Sequence, residues 1–502
     1  MVFTTQIFLF VYFPICMICY YIADRLCRLK KIGRFLDRLR FKDLILIAFS
    51  LGFYMWSCFD NVFRLLLYVI VVYILALWIA HTKSRGYFIR QENNSTDQSD
   101  REQRKLHLHV FPLIISVALV IFCLIYFNYT DFLIACWNSV FGDSIPSKSL
   151  VAPLGLSFIT FSAVSYLTDI YRGDAKTGSF IDCLLYLTFF PKMISGPIVL
   201  WKNFANQIKT RRLTLELSIE GIHRIMIGFA KKVILADTFG ACLAKIQLTG
   251  IDQMTAFGTL VLYMLQIYYD FSGYSDIALG LSKLFGFEFK ENFNFPYRSK
   301  SISEFWRRWH ISLGRWFREY VYFPLGGSRK GKRKTLWNLA VVFALTGIWH
   351  GAGWNYILWG FINGACVILE RVIQDKKHYQ KTPSWLKYCA TMLIVLVFWQ
   401  FFRYQSMGDI ATVFGILTGV IRFDAIPYTW QYYFDAQILT LAAIGAIGST
   451  LFGSPRLIAW YQRVAATKAG YLIQEVGLLA VFVLAILFMV NSTYSPFIYF
   501  QY

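Results

Sequence analysis

Apolar runs long enough to cross a bilayer recur from one end of this chain to the other, and a soluble fold has no interior large enough to hide them. A spanning helix needs about 20 mostly apolar residues. Such runs occupy residues 3–23, 43–59, 60–80, 110–130, 181–200, 221–240, 256–280, 335–352, 355–373, 387–403, 436–452 and 474–491. Two weaker runs, 149–170 and 409–421, read as short or re-entrant helices. The expected fold is all-α: a polytopic integral membrane protein with about 11–14 membrane-embedded helices. Composition agrees, since only 16% of the residues are charged, against about 25% in soluble domains. With no domain-sized polar stretch anywhere, residues 1–502 are expected to form one membrane domain.

The net charge of +21 suggests nucleic acid in a soluble protein, but here the basic residues sit in loops between apolar runs. The positive-inside rule explains them, and no nucleic-acid partner is expected. Eight Lys and Arg residues between Arg25 and Lys42 place that segment in the cytoplasm, so the N-terminus is expected outside. The polar stretch 82–109 reads as a cytoplasmic linker, so its sequon at Asn94 is discounted. Arg456, Arg463 and Lys468 mark a late cytoplasmic loop, which leaves the aromatic tail 491–502 outside. Residues 1–21 lack a basic start and a small-residue cleavage site, so they read as a first span rather than a cleaved signal. Cys16 and Cys19 form a CxxC inside an apolar run, without a second pair or a βαβ context. They read as inert thiols, and no metal site is expected.

Two of the seven histidines stand apart. His81, His107, His109 and His378 sit near basic loop ends and read as solvated, and His223 is ambiguous. His350, in LTGIWHGAG, is an ionisable group inside an apolar run, where such a residue is costly and marks function by default. Gly347, Gly351 and Gly353 around it permit irregular backbone or close approach. Burial there keeps an imidazole neutral and able to accept a proton. The competing reading is a hydrogen-bonded core histidine against Trp349.

His310 lies in FWRRWHISL, where Trp306, Trp309, Leu313 and Trp316 follow helical spacing, so a short amphipathic helix is expected. Its other face carries Arg307, Arg308, Arg315 and Arg318. An interfacial anchor and a reaction-site histidine beside a cationic face both fit. In YYDFSGYSD, Asp270, Ser272 and Asp276 form a polar cluster within an apolar run. The two acids are not at i, i+3 or i+4 spacing, a helix break near Gly273 is expected, and Arg298, Arg307 or Arg315 are the partners considered. A structural network and a catalytic one both fit. The run GGSRKGKR, Gly326 to Arg333, is a P-loop decoy, with Arg333 where magnesium needs Ser or Thr.

The stretch YYDFSGYSDIALGLSKLFGFEFKENFNFPYRSKSISEFWRRWHISLGRWFREYVYFPLGG, with LTGIWHGAGWNYILWGFING and the upstream FPKMISGPIVLW, resembles the membrane-bound O-acyltransferase (MBOAT) family. The signature core spans residues 268–370. It is most similar to the bacterial branch that acetylates alginate or peptidoglycan or D-alanylates teichoic acid. The resemblance implies two functional histidines, His310 and His350, at a funnel or tunnel through the helices. It implies an acyl thioester donor, acetyl-CoA or an acyl carrier, with no bound cofactor. Arg307, Arg308, Arg315, Lys330 and Lys332 are then candidates for the donor phosphates. It also implies a bacterial inner-membrane location and a separate extracytoplasmic polysaccharide acyltransferase of SGNH type. Phe497 to Tyr502 resembles an aromatic motif in which Tyr499 carries the acyl group; an interfacial aromatic belt is the other reading. The main expectation is acetyl transfer to a cell-envelope polysaccharide. D-alanyl transfer, lipid acylation and a transporter with His350 in a proton relay are the alternatives.

Overall fold

A computed structural model describes residues 3–29, 32–92 and 98–491, with side chains placed outside 84–109. Among the described residues every regular element is a helix and there is no strand, as the apolar runs predict. Seven helical segments among them are long and apolar enough to cross a membrane: Phe8–Cys27, Phe59–Lys83, Val110–Phe141, Trp354–Ile373, Ser384–Arg403, Ala436–Gly453 and Lys468–Asn491. In the last of these only 11% of the apolar window is covered by protein. A helix apolar on all sides with so little cover requires lipid around it. The aromatic tail, Tyr499 included, lies outside the described residues.

The chain divides into two compact units, Met1–Ser218 with Leu281–Phe289, and Ile219–Gly280 with Lys290–Tyr502. The first contains α1 (Phe13–Cys27), α2 (Phe41–Ser57), α3 (Val62–Glu92), α4 (Gln98–Phe141) and α5 (Leu156–Arg172). Helix therefore runs into both ends of the polar stretch read as a linker. The basic segment after α1 has acidic partners: Arg40 pairs with Asp43 at 2.5 Å and Asp182 at 2.6 Å, and Arg211 also reaches Asp43. Cys16 and Cys19 both lie on α1 as free thiols.

The expected span 181–200 is broken. Helix covers Phe180–Thr188 and Phe190–Met193, and the chain then runs irregularly to Leu200. Pro191 and Pro197 remove backbone donors. A Cβ on Gly196 would stand 2.4 Å from the Pro191 carbonyl oxygen, so only glycine permits this fold-back.

The second unit contains most of α6 (Leu215–Ala230) and most of α7 (Gln253–Leu284), with α8 (Ile302–Arg308), α9 (Ile311–Phe317), α10 (Lys332–His350), α11 (Trp354–Ile373), α12 (Ser384–Phe398) and α13 (Lys468–Asn491). The break expected near Gly273 does not occur: α7 is continuous through it. Gly273 serves close packing instead. A Cβ there would lie 2.7 Å from the Gly228 carbonyl oxygen of α6, and one on Gly280 would lie 2.5 Å from that of Gly221. Backbone cannot retreat as a side-chain tip can. Gly273→Val is therefore expected to cost about 1–3 kcal/mol, seen as a lower thermal midpoint in detergent; an unchanged midpoint would refute the contact.

Close approach of α6 to α7 also settles the acids. Lys232, in the π-helical segment Lys231–Asp237 that continues α6, pairs with Asp237 and, at 2.6 Å, with Asp270. Asp276 takes Arg224 at 2.8 Å and Lys231 at 2.7 Å. These ion pairs come from the neighbouring helix and not from the Arg298–Arg315 region that was considered. His223 of α6 meets Glu475 of α13 at 3.0 Å.

Candidate active site

The single amphipathic helix expected around Trp306–Trp316 is broken at its centre. α8 ends at Arg308, α9 begins at Ile311, and His310 between them has φ +44°. A left-handed conformation in a residue other than glycine costs about 1–3 kcal/mol and persists only where its surroundings impose it. Residues 292–294 impose it here. Asn294 N–H donates to the Arg308 carbonyl at 3.0 Å, and Ile311 N–H donates to the Asn292 carbonyl at 2.9 Å. Trp309 and Trp316 are buried in this unit rather than laid on a surface, against the reading as an interfacial anchor. Trp309 packs among Phe293, Phe305 and Trp399 with ring centroids 4.6–5.7 Å apart.

The His310 side chain is 3% exposed and edge-on to Phe271, with centroids 4.6 Å apart. Its Nδ1 lies 3.1 Å from Asn292 Oδ1. Its Nε2 is buried without a hydrogen-bond partner. Burial, and the His350 imidazole nearby, hold His310 well below the usual histidine pKa.

His350 ends α10, where Gly351 and Gly353 turn the chain back into α11. The two helices approach through Gly347 and Gly360: a Cβ on Gly347 would stand 2.9 Å from the Gly360 Cα. The expected role of Gly347 in close approach is thus realised. The His350 ring, 7% exposed, packs against Trp349 at 4.7 Å, Phe402 at 5.0 Å and Trp359 at 5.1 Å.

His310 and His350 line one cavity of about 260 Å³. Trp306, Leu313, Phe317, Phe343, Trp359 and Phe402 supply much of its apolar wall, and Arg318 is its charged member. Among the described residues no carboxylate lines it. Two imidazoles in a mostly apolar chamber can accept and return a proton where water competes poorly, which suits transfer of a neutral group. A second cavity, of about 670 Å³, shares Trp306, Tyr322, Leu339 and Phe343 with the first. Its wall is basic: Lys300, Arg307, Arg371 and Lys387, with Glu370 among them.

Of the cationic residues singled out from the sequence, Arg307 lines this second cavity. Arg308 instead pairs with Glu304 at 2.9 Å and donates to the Asn294 carbonyl. Arg315, Lys330 and Lys332 line neither cavity, and both lysines are exposed. Asp270 and Asp276 lie in the ion pairs on α7, and Ser272 is buried between them in sequence. Lys300, Arg371 and Lys387 were missed, because each looks like an ordinary basic loop or helix-end residue until the fold gathers them. Asn292 was missed as well, since an asparagine between Glu291 and Phe293 carries no chemical signal in sequence.

Comparison with known proteins adds independent findings. Residues 41–407 match the membrane-bound O-acyltransferase family. The chain is 32% identical to the probable alginate O-acetylase AlgI of Pseudomonas putida over the whole of both chains. It is 30% identical to the peptidoglycan O-acetyltransferase of Helicobacter pylori, covering 84% of this chain and 80% of that one. It is 32% identical to the teichoic acid D-alanyltransferase of Bacillus subtilis, over 50% of this chain and 67% of that one.

Proposed function

Because this chain belongs to the membrane-bound O-acyltransferase family, we propose that it takes an acetyl group from a cytoplasmic thioester, acetyl-CoA, and passes it through the membrane for O-acetylation of a cell-envelope polysaccharide. The observation that carries this reading is the cavity shared by His310 and His350, joined by common walls to a basic one. In the proposed arrangement Arg307, with Lys300, Arg371 and Lys387, receives the donor phosphates, for which guanidinium groups offer paired hydrogen bonds. The thioester end enters the apolar chamber. A hydroxyl attacks its carbonyl carbon, and His350 accepts the hydroxyl proton as the C–O bond forms. The C–S bond breaks. His310 takes the proton on at Nε2 and returns it to the thiolate, which leaves as free CoA thiol.

Relatives covering the whole chain carry acetylase names, whereas the D-alanyltransferase relatives cover about half of it. The chamber supports the same choice. A D-alanyl group brings an ammonium, and a cation next to Arg318 without a carboxylate is disfavoured. We further propose that the protein lies in the bacterial inner membrane with both termini outside. There Tyr499 holds the acetyl group before an SGNH-type extracytoplasmic transferase delivers it to the polysaccharide.

The test is labelled acetyl-CoA supplied to the cytoplasmic face of membrane vesicles. Free CoA release is expected from the wild type; a transporter, or a D-alanyl enzyme, gives none. Tyr499→Phe, in cells, should abolish polysaccharide acetylation at normal protein abundance. Unchanged acetylation would remove Tyr499 from the pathway.

A further inference from the structure

The hydrogen bonds around Asn292 determine which nitrogen of His310 carries its proton. Asn292 Oδ1 receives three contacts: His310 Nδ1 at 3.1 Å, Ser312 N–H at 3.2 Å and Ser312 Oγ at 2.8 Å. A backbone N–H can only donate, so the atom it meets is the amide oxygen and not the amide nitrogen. The other end of the amide agrees, since Asn292 Nδ2 donates to Ser275 Oγ of α7 at 3.0 Å. An amide oxygen has no hydrogen to give. His310 Nδ1 must therefore be the N–H, and Nε2 carries the lone pair. That Nε2 is the buried atom without a partner, on a side chain that lines the chamber. The charged or titratable residues lining the chamber with it are His350, Arg318 and Tyr322.

We propose that Asn292 is the positioning residue of the reaction: it fixes His310 as the Nδ1–H tautomer, so that Nε2 is open to receive the proton. Ser275, within the YYDFSGYSD motif, holds the amide in its orientation, and the Asn292 carbonyl helps hold the His310–Ile311 turn. The role follows from the site proposed above and rests on that reading for its catalytic meaning. Outer groups that orient a reactive imidazole typically change activity by about 10–100-fold when removed, in the well-studied case of metal-bound histidines.

Two measurements separate this role from simple support of the fold. In protein with ¹⁵N-labelled histidine in lipid nanodiscs, the signal lost in His310→Gln identifies His310. At neutral pH it is expected to show a protonated Nδ1 and a bare Nε2; a protonated Nε2 overturns the proposal. In vesicles, Asn292→Ala is expected to lower CoA release about 10–100-fold, with KM for acetyl-CoA within about twofold. Asn292→Asp keeps an acceptor for Nδ1–H and is expected to recover most of the rate. Wild-type rates in both variants, or equal losses in both, would overturn it. Absence of CoA release from the wild type would instead sink the acetyl-transfer reading, while the nitrogen signals still decide the tautomer.

Discussion

His350→Ala is expected to cut the release of free CoA from acetyl-CoA by about 10²–10⁴-fold, the usual contribution of a positioned acid–base group. The ring stands in an aromatic setting of Trp349, Trp359 and Phe402, where water is a poor substitute base. The basic cavity is left intact, so the loss should fall on turnover, with KM for the donor changing little. Gly347 and Gly360 bring the backbones of α10 and α11 together whatever stands at position 350, so the variant should still accumulate in the membrane. His350→Gln preserves more of the ring's volume and should be equally inactive. Activity near the wild-type level in both variants would remove His350 from the chemistry.

Lys232→Met is expected to be the most destabilising single change outside the chamber, costing about 3–5 kcal/mol. The lysine is buried and joins two buried carboxylates, Asp237 on its own helix and Asp270 on α7. A buried ion pair is a weak source of net stability, but removing one partner leaves charge behind without compensation. Here it leaves two acids side by side. The thermal midpoint in detergent should fall sharply, and Lys232→Met combined with Asp270→Asn should recover part of the loss. A single variant as stable as the wild type would show that the acids are compensated elsewhere.

How far the sequence could be read depended on whether the information was local. His350 stood out because an ionisable residue inside an apolar run is expensive wherever that run packs. His310 did not, because its surroundings read as one continuous helix. The break at His310 comes from hydrogen bonds donated and accepted by residues 292–294, some sixteen to eighteen positions upstream. Gly273 was misread for a related reason. Glycine signals a break and close packing equally well, and only the presence of Gly228 against it selects the second. For the acids on α7 the sequence offers only downstream arginines as candidates and cannot choose among them, whereas their ion-pair partners Arg224, Lys231 and Lys232 precede them in the chain.

Apolar run length and loop charge by themselves determined that this chain is helical and membrane-embedded, since lipid admits few other ways to satisfy a backbone. The motifs around His310 and His350 pointed to the acyltransferase family, which the full-length relatives bear out. Only the tertiary structure decided that the two histidines face one chamber, that Lys300, Arg307, Arg371 and Lys387 meet in a basic one beside it, and that Asn292 and Ser275 set the His310 tautomer. The reason is the range of the interactions. Hydropathy is a sum along the chain, but a proton's place on a ring depends on hydrogen-bond partners brought within about 3 Å by packing.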